Sequence, residues 1–124
     1  MTETQQKLVQ DSRLQTEQIT PELIDYIVEK IARVVSPNQI ILFGSHARGD
    51  AAADSDLDLF IIHDSRKSNR EIRRQIETFL WGRRFDLDLI VRDPQEVSRN
   101  IADGNPFYLQ HLFGEGKVLY ERSA

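Results

Sequence analysis

The stretch 42-LFGSHARGDAAADSDLDLF-60 decides how this chain folds and where its chemistry lies. An apolar run stops at Gly44-Ser45, a small polar loop follows, and a second apolar run begins as Asp56-Leu57-Asp58-Leu59. Side chains two residues apart on a β-strand point to the same face. In the second run the two leucines therefore enter the core, while Asp56 and Asp58 project together from the opposite face. The stretch predicts two strands joined by a loop, with a pair of carboxylates on the second strand.

The composition limits the class of protein. A chain of 124 residues is large enough for one domain with a real core. Its net charge of −4 argues against broad, sequence-independent binding of nucleic acid, which requires many Lys and Arg side chains. The absence of cysteine excludes disulfides, thiolate zinc sites and cysteine nucleophiles. No apolar signal region opens the chain and no run reaches transmembrane length, so we expect a cytoplasmic protein without a membrane partner.

Periodicity and capping signals predict an α/β (α+β) domain over residues 20–124, with a small mixed β-sheet flanked by helices. Residues 1–19 are polar and Gln-rich without an apolar stripe, and we expect a flexible tail there. Thr20-Pro21, Ser68 with Glu71, and Asp93-Pro94 are helix starts. The predicted order is a helix from 21 to about 36, a strand over 39–43, a short helix over about 46–49, a strand over 56–63, a helix from 69 to about 82, a strand over 85–91, a helix from 94, a short helix from 106 and a strand over 117–121. The helix from 69 has a predicted buried stripe of Ile72, Ile76, Phe79 and Leu80.

A second strand repeats the pattern of alternating carboxylates. In 85-FDLDLIV-91, Asp86 and Asp88 share the face opposite the apolar side chains. If this strand adjoins the one that carries Asp56 and Asp58, three or four carboxylates converge on a small area. Clustered carboxylates repel one another, and oxygen-only ligation of a hard divalent cation such as Mg²⁺ or Mn²⁺ keeps them ionised.

The loop after the first strand has the features of a phosphate site. Gly44 lets a ligand approach the backbone closely, and the free N–H groups at the start of the following helix favour phosphate. Triphosphate at one end and metal-binding carboxylates at the other indicate two-metal nucleotidyl transfer.

Gly44-Ser45, a ten-residue spacer and Asp56-Leu57-Asp58 resemble the signature of the DNA polymerase β-type nucleotidyltransferase superfamily. The segment 44-GSHARGDAAADSDLDL-59 is similar to the minimal nucleotidyltransferase (MNT or MntA-like) branch, and the resemblance covers roughly residues 22–121. It implies Asp56 and Asp58 as catalytic metal ligands and Gly44 and Ser45 as the triphosphate clamp. It also implies Asp88 as the third carboxylate, since 88-DLIVRDP-94 has the family's Asp, apolar run and Pro-containing helix start, with Asp86 as the alternative.

Two further polar side chains follow the clamp closely in the sequence. Arg48 either reaches phosphate or secures the loop, and the sequence favours neither role. His46 stands where an arginine is frequent in the resembled family.

The resemblance also implies a biological role. Minimal nucleotidyltransferases are typically encoded beside a HEPN-domain protein, as toxin–antitoxin pairs. The chain is therefore expected to transfer AMP from ATP, with two Mg²⁺ ions or Mn²⁺, to a hydroxyl of a HEPN-type toxin. Tyrosine is the favoured acceptor, because its pKa near 10 lies closer to neutrality than that of Ser or Thr. Two alternatives stay open: a non-catalytic nucleotide-binding antitoxin that masks its partner, and a small-molecule adenylyltransferase.

A basic side is predicted on the second long helix and the loops around it. It is formed by Arg66, Lys67, Arg70, Arg73, Arg74, Arg83 and Arg84. It is either a solvated face or a docking surface for a partner or RNA, although no direct nucleic-acid binding is expected from the acidic balance.

Overall fold

The order of helices and strands follows the predicted alternation. The computed structural model describes residues 11–52 and 54–123. The elements are α1 (Pro21–Val35), β1 (Gln39–Phe43), α2 (Ser45–Arg48), β2 (Leu57–Ile62), α3 (Asn69–Phe79), β3 (Leu87–Arg92), α4 (Pro94–Ala102) and β4 (Lys117–Glu121). A 3-10 turn (Ser12–Leu14) precedes α1, and a π-helical segment (Phe107–Leu112) precedes β4. Over these ranges no helix is both long enough and apolar enough to cross a membrane. The predicted fold class is confirmed.

The three longer helices begin at the predicted capping residues. The Thr20 hydroxyl accepts a hydrogen bond from the Leu23 N–H at 3.1 Å. Ser68 and Glu71 form a reciprocal capping box at the start of α3, and Asp93 forms the same kind of box at the start of α4. Each of these side chains satisfies backbone donors that the first helical turn leaves without a partner. The helix starts are therefore local features of the sequence.

A four-stranded sheet in the order β3-β2-β1-β4 forms the centre of the fold. β1 pairs antiparallel with both β2 and β4. β2 and β3 are parallel, because α3 connects them and returns the chain to the starting edge. The sheet is therefore mixed, as predicted, and β3 is an edge strand in the described part of the chain.

Each face of the sheet is covered by a separate apolar cluster. On one face, α1 and α3 pack against side chains that include Leu57, Leu59 and Leu89. On the other face, α4 and the π-helical segment cover β1 and β2 with an aromatic cluster of Phe43, Phe60, Phe107 and Tyr108. The rings of Phe43 and Phe107 meet edge to face with centroids 5.5 Å apart. This second face also carries the even-numbered residues of β2 and β3, which include the carboxylates.

The segment before α1 is packed where the sequence predicts a flexible tail. Leu14 is fully buried in the core, and its carbonyl accepts a hydrogen bond from the Arg84 N–H at 3.3 Å. The Lys30 ammonium bonds the Asp11 carboxylate at 2.8 Å. Such contacts join residues far apart in the chain and leave no periodic pattern in the polar segment. Residues 1–10 of the predicted tail lie outside the described residues.

The C-terminal end of α3 also differs from the prediction. Phe79, predicted in the buried stripe, is 38 % exposed, whereas Leu80 is fully buried. The helix ends at Phe79, and Leu80 adopts a non-helical conformation (φ −102°, ψ 17°). Leu80 still continues the buried stripe, because it lies four residues after Ile76 and its N–H donates to the Ile76 carbonyl at 3.1 Å.

Candidate active site

The two predicted carboxylate strands lie side by side. In the parallel pairing of β2 with β3, Asp58 stands directly opposite Asp88. Asp56 immediately precedes β2 and shares the face of Asp58 by alternation. Asp58 is half-buried, while Asp56 and Asp88 are exposed. The fold thus brings Asp56, Asp58 and Asp88 to one end of the two strands, on a single face of the sheet.

The electrostatics of Asp58 show that these carboxylates act on one another. Burial raises the pKa of the Asp58 carboxyl above its usual range, and the charges of Asp88 and Asp56 raise this pKa further. His46 and Arg48 act in the opposite direction, because positive charge nearby favours the ionised form. Asp88, rather than Asp86, is the β3 carboxylate that is paired with Asp58 and acts on it most strongly among the groups of that strand.

Gly44 connects the loop after β1 to this cluster. It has φ 74° and ψ −157°, a conformation that only glycine adopts readily. A Cβ placed on Gly44 would lie 3.0 Å from Cγ and 3.3 Å from Cβ of Asp58, and would overlap the Asp58 Oδ2 atom. The backbone of the loop therefore packs directly against the Asp58 carboxylate, and a side chain at this position would push the carboxylate aside.

The short helix α2 begins at Ser45 and holds the loop in place. The Gly44 carbonyl accepts hydrogen bonds from the N–H groups of Ala47 and Arg48, both at 3.1 Å. Ala47 is buried against the core and fixes the inner side of this turn. The assignment of Gly44 and Ser45 as a triphosphate clamp stays a prediction. The backbone of Gly44 lies beside the Asp58 carboxylate.

Arg48 secures the loop in this conformation. Its Nε atom lies 3.2 Å from Asp50 Oδ2, and its Nη1 atom lies 3.5 Å from Glu115 Oε2 in the turn before β4. His46 makes a second connection, since its Nε2 atom lies 3.3 Å from the carbonyl oxygen of Ser55. Sequence reasoning missed Glu115, because it lies 67 residues from Arg48 and no local pattern marks it.

The chemistry of the carboxylate cluster fits a hard divalent cation. Three carboxylates on two adjoining strands supply the oxygen donors that Mg²⁺ and Mn²⁺ prefer, and Asp58 is under repulsion that a cation would relieve. In their present conformations, no three acidic or histidine side chains within 11–52 and 54–123 are close enough together to hold a metal ion. The three aspartates have the oxygen donors that such a cation requires, and they lie on one face of the sheet. To bind a common ion, the side chains of Asp56, Asp58 and Asp88 would have to turn toward one point.

His63 has a structural role at the far end of β2. It is 2 % exposed, and its Nε2 and Nδ1 atoms lie 2.8 Å from Asn69 Oδ1 and 3.2 Å from Ser65 Oγ. Both ring nitrogens are thus used to join β2 to the start of α3.

Comparison with known protein families finds a nucleotidyltransferase domain in this chain. The model of the nucleotidyltransferase domain matches residues 22–117. The bifunctional uridylyltransferase/uridylyl-removing enzyme of Streptomyces coelicolor is 29% identical over 83 residues, which is 61% of this chain and 10% of that enzyme. The chain thus spans about a tenth of the length of this curated relative.

A solved structure shows the same fold. A crystal structure assigned to the nucleotidyltransferases, from Sulfolobus solfataricus, aligns with a TM-score of 0.55 and 24% identity over 82% of this chain and 79% of that one. A toxin–antitoxin structure with AMP-PNP aligns more distantly, with a TM-score of 0.46 and 19% identity over 80% of this chain and 74% of that one. The family match covers most of the chain, including Gly44, Ser45, Asp56, Asp58 and Asp88. This chain therefore belongs to the nucleotidyltransferase domain family.

Proposed function

We propose that this chain transfers AMP from ATP to a hydroxyl group of a HEPN-type toxin and acts as the antitoxin of that pair. The observation that carries the reaction is the placement of Asp58 opposite Asp88, with Asp56 beside them and the Gly44 backbone against Asp58. Membership of the nucleotidyltransferase domain family supports nucleotidyl transfer. The resemblance of residues 44–59 to the minimal branch supports the toxin partner.

The proposed cofactors are two Mg²⁺ ions, or Mn²⁺, held by Asp56, Asp58 and Asp88. When bound, such cations lower the pKa of the attacking hydroxyl and neutralise the leaving pyrophosphate. Asp58 is suited to anchor the site because it is half-buried between strands, and the exposed Asp56 and Asp88 are free to turn toward a ligand. Bound cations would explain why three carboxylates that repel one another lie on one face of the sheet.

The loop would hold the other substrate. Gly44 has no side chain, so phosphate oxygens can approach its backbone. Arg48 and His46 hold the loop to Glu115 and Ser55, which keeps that backbone close to Asp58. In the reaction the acceptor hydroxyl gives up its proton to solvent and its oxygen bonds the α-phosphorus of ATP. The bond from that phosphorus to the oxygen bridging the α- and β-phosphates breaks, and pyrophosphate leaves.

An acceptor carried by another protein suits an open site. Asp56 and Asp88 are exposed, and pockets that enclose a small ligand need walls on several sides. A hydroxyl on the surface of a partner brings its own surroundings. Tyrosine is the proposed acceptor, because its pKa near 10 requires less lowering than that of an aliphatic hydroxyl. The open site therefore favours a protein-modifying enzyme over a small-molecule adenylyltransferase.

The test is to incubate the chain with the HEPN-type protein encoded beside it, ATP and Mg²⁺, and to measure the intact mass of the partner. We expect one or more added AMP masses on a tyrosine, and none with Asp56→Asn. Asp54→Asn removes the same charge two residues earlier, at an exposed loop position, and should transfer normally.

Three outcomes would redirect the assignment. An unmodified partner that Asp56→Asn still neutralises would favour the masking antitoxin. Transfer of AMP to a free small molecule without any partner would favour the small-molecule enzyme. Full activity of a variant with both Asp56→Asn and Asp58→Asn would refute the site itself.

A further inference from the structure

A groove of about 330 Å³ runs along the outer edge of β3, and Asp88 of the carboxylate site lies at one end of it. Its floor is formed by five consecutive residues, Asp88 to Arg92, and its wall by Asn69, Arg70 and Arg73 of α3. Successive residues of a strand point to opposite faces, so a groove lined by all five in sequence follows the backbone and not a face of the sheet. The groove therefore follows about 16 Å of the outer edge of the sheet, at roughly 3.3 Å per residue. The side chains around it cover Leu89 and Val91, which are 3 % and 2 % exposed.

The direction of the β3 backbone groups follows from its pairing with β2. The N–H of Leu57 donates to the Asp86 carbonyl at 2.9 Å, and the N–H of His63 donates to the Arg92 carbonyl at 3.1 Å. Backbone groups on a strand alternate in direction, so the even-numbered residues of β3 face β2. The N–H and C=O groups of Leu89 and Val91 consequently point out of the sheet and into the groove.

A side chain already occupies one of these outward groups. Nη1 of Arg92 donates to the Val91 carbonyl at 2.7 Å. This contact agrees with the outward direction of Val91. Long charged side chains that cover backbone groups are a usual way to protect an exposed edge strand from unwanted pairing. The edge is thus shielded by side chains, and an incoming strand would have to displace Arg92 from the Val91 carbonyl.

The charge of the groove selects the partner. Arg70 and Arg73 are exposed on the wall, Arg92 lies at one end of the floor, and Asp88 at the other end is the single carboxylate of the lining. Arg73 is already 3.4 Å from Glu77 one turn away, an exposed pair of little energetic weight. The net positive charge of the groove contrasts with the net charge of −4 of the whole chain.

The positive charge is concentrated away from the carboxylate site. Asn69 at the start of α3 contacts His63, which follows β2, and bonds Glu96 of α4 at 2.7 Å. The first turn of α3 therefore lies at the C-terminal end of β3, and Asp88 lies near the other end. A segment bound along the groove would have its acidic part at the arginines and would lead toward Asp88.

We propose that the β3 edge binds an extended acidic segment of a partner protein as an additional strand. Main-chain hydrogen bonds to Leu89 and Val91 supply the pairing, and carboxylates on alternate residues of the segment meet Arg70 and Arg73. RNA would satisfy the arginines but would leave the outward backbone groups of Leu89 and Val91 without matching partners, so a peptide is favoured. The inference is independent of the transfer reaction, because its readout is binding.

The test uses the full chain and the synthetic peptide acetyl-Glu-Val-Glu-Val-Glu-Val-amide. We expect amide NMR shifts centred on Leu89 and Val91, and slower hydrogen exchange at both amides, by roughly tenfold or more. Amides of β4, the opposite edge strand, serve as an internal control. The same peptide with every backbone nitrogen methylated, or with lysine in place of glutamate, should not bind.

Charge reversal provides a matched pair of variants. Arg70→Glu with Arg73→Glu should weaken peptide binding by roughly tenfold or more, as expected for two lost and reversed charge contacts. Arg66→Glu with Arg74→Glu carries the same change in charge outside the groove and should bind normally.

Three results would overturn the inference. The first is protection of the Leu89 and Val91 amides in the free chain, since the edge would then already be covered. The second is equal binding of the N-methylated peptide, which would show that the backbone is not used. The third is oligoadenylate RNA binding more tightly than the peptide and losing affinity in the Arg70 and Arg73 variant.

Discussion

Substitution of Gly44 by alanine tests the contact between the loop and the carboxylate cluster. The backbone at Gly44 (φ 74°, ψ −157°) lies in a region that an L-residue enters at a cost of about 1–3 kcal/mol. In addition, the new methyl group would overlap the Asp58 carboxylate, with Cγ of Asp58 only 3.0 Å away. We expect Gly44→Ala to lower the free energy of unfolding by about 2–4 kcal/mol. This loss combines the backbone strain with the cost of displacing the Asp58 side chain.

A double-mutant cycle separates these two contributions. Asp58→Ala removes the overlapping carboxylate, so Gly44→Ala should cost about 1 kcal/mol less in that background, within the range measured for residues in contact. Gly49→Ala is the matched control, since Gly49 also has a positive φ (85°) but no atom lies within 4 Å of its added Cβ. It should show the strain without any coupling to Asp58.

The assay is urea denaturation followed by far-UV circular dichroism, with unfolding free energies compared at constant m-value. The transfer assay with the HEPN-type partner adds a second readout, in which Gly44→Ala is inactive and Gly49→Ala is active. Strictly additive effects of Gly44→Ala and Asp58→Ala would show that the loop does not press on the carboxylate and would refute the reasoning.

Three further predictions concern the carboxylates and the core. Asp88→Asn should lower AMP transfer by about 100-fold or more, as for loss of a metal ligand, while Asp86→Asn largely spares it; the reverse ranking in the same assay would move the third ligand to Asp86. The pKa of Asp58 is higher in the folded chain than in the unfolded chain, where it is near 4. Ionised Asp58 therefore opposes folding above the folded pKa, and this effect is absent below the unfolded pKa. In metal-free buffer Asp58→Asn should therefore raise unfolding free energy at pH 7 by less than about 1 kcal/mol, an advantage that disappears in urea titrations at lower pH. Leu14→Ala should cost about 2–5 kcal/mol in the same titration, whereas a loose N-terminal segment would give almost no change.

The proposed binding edge and the candidate carboxylate site share one strand, β3. Asp88 stands opposite Asp58 on the strand whose outer backbone lines the basic groove. A partner segment paired with β3 would stiffen the strand that holds the third carboxylate and would bring the partner's neighbouring residues close to it. If both proposals hold, β3 connects recognition of a partner physically with modification of one of its hydroxyls.

Local patterns in the sequence were sufficient for the elements and for the first two carboxylates. Thr20, Ser68 and Asp93 identify helix starts because capping joins atoms within three residues. Asp56 and Asp58 share a face because alternation along a strand is a property of the backbone itself. The π-helical conformation of residues 107–112 was not predicted, since the sequence indicated only a short helix from Pro106.

Only the tertiary structure decided which distant residues meet. The sequence left open whether β2 and β3 adjoin, and the register that sets Asp58 opposite Asp88 depends on how α3 packs across one face of the sheet. The pairing of Arg48 with Glu115 and the burial of Leu14 likewise join parts of the chain that no short-range pattern connects. Spacing along the chain determines helices, strands and their faces, because those depend on neighbouring backbone geometry. The neighbours of each face are determined by the burial of apolar surface over the whole domain, which no single stretch of sequence contains.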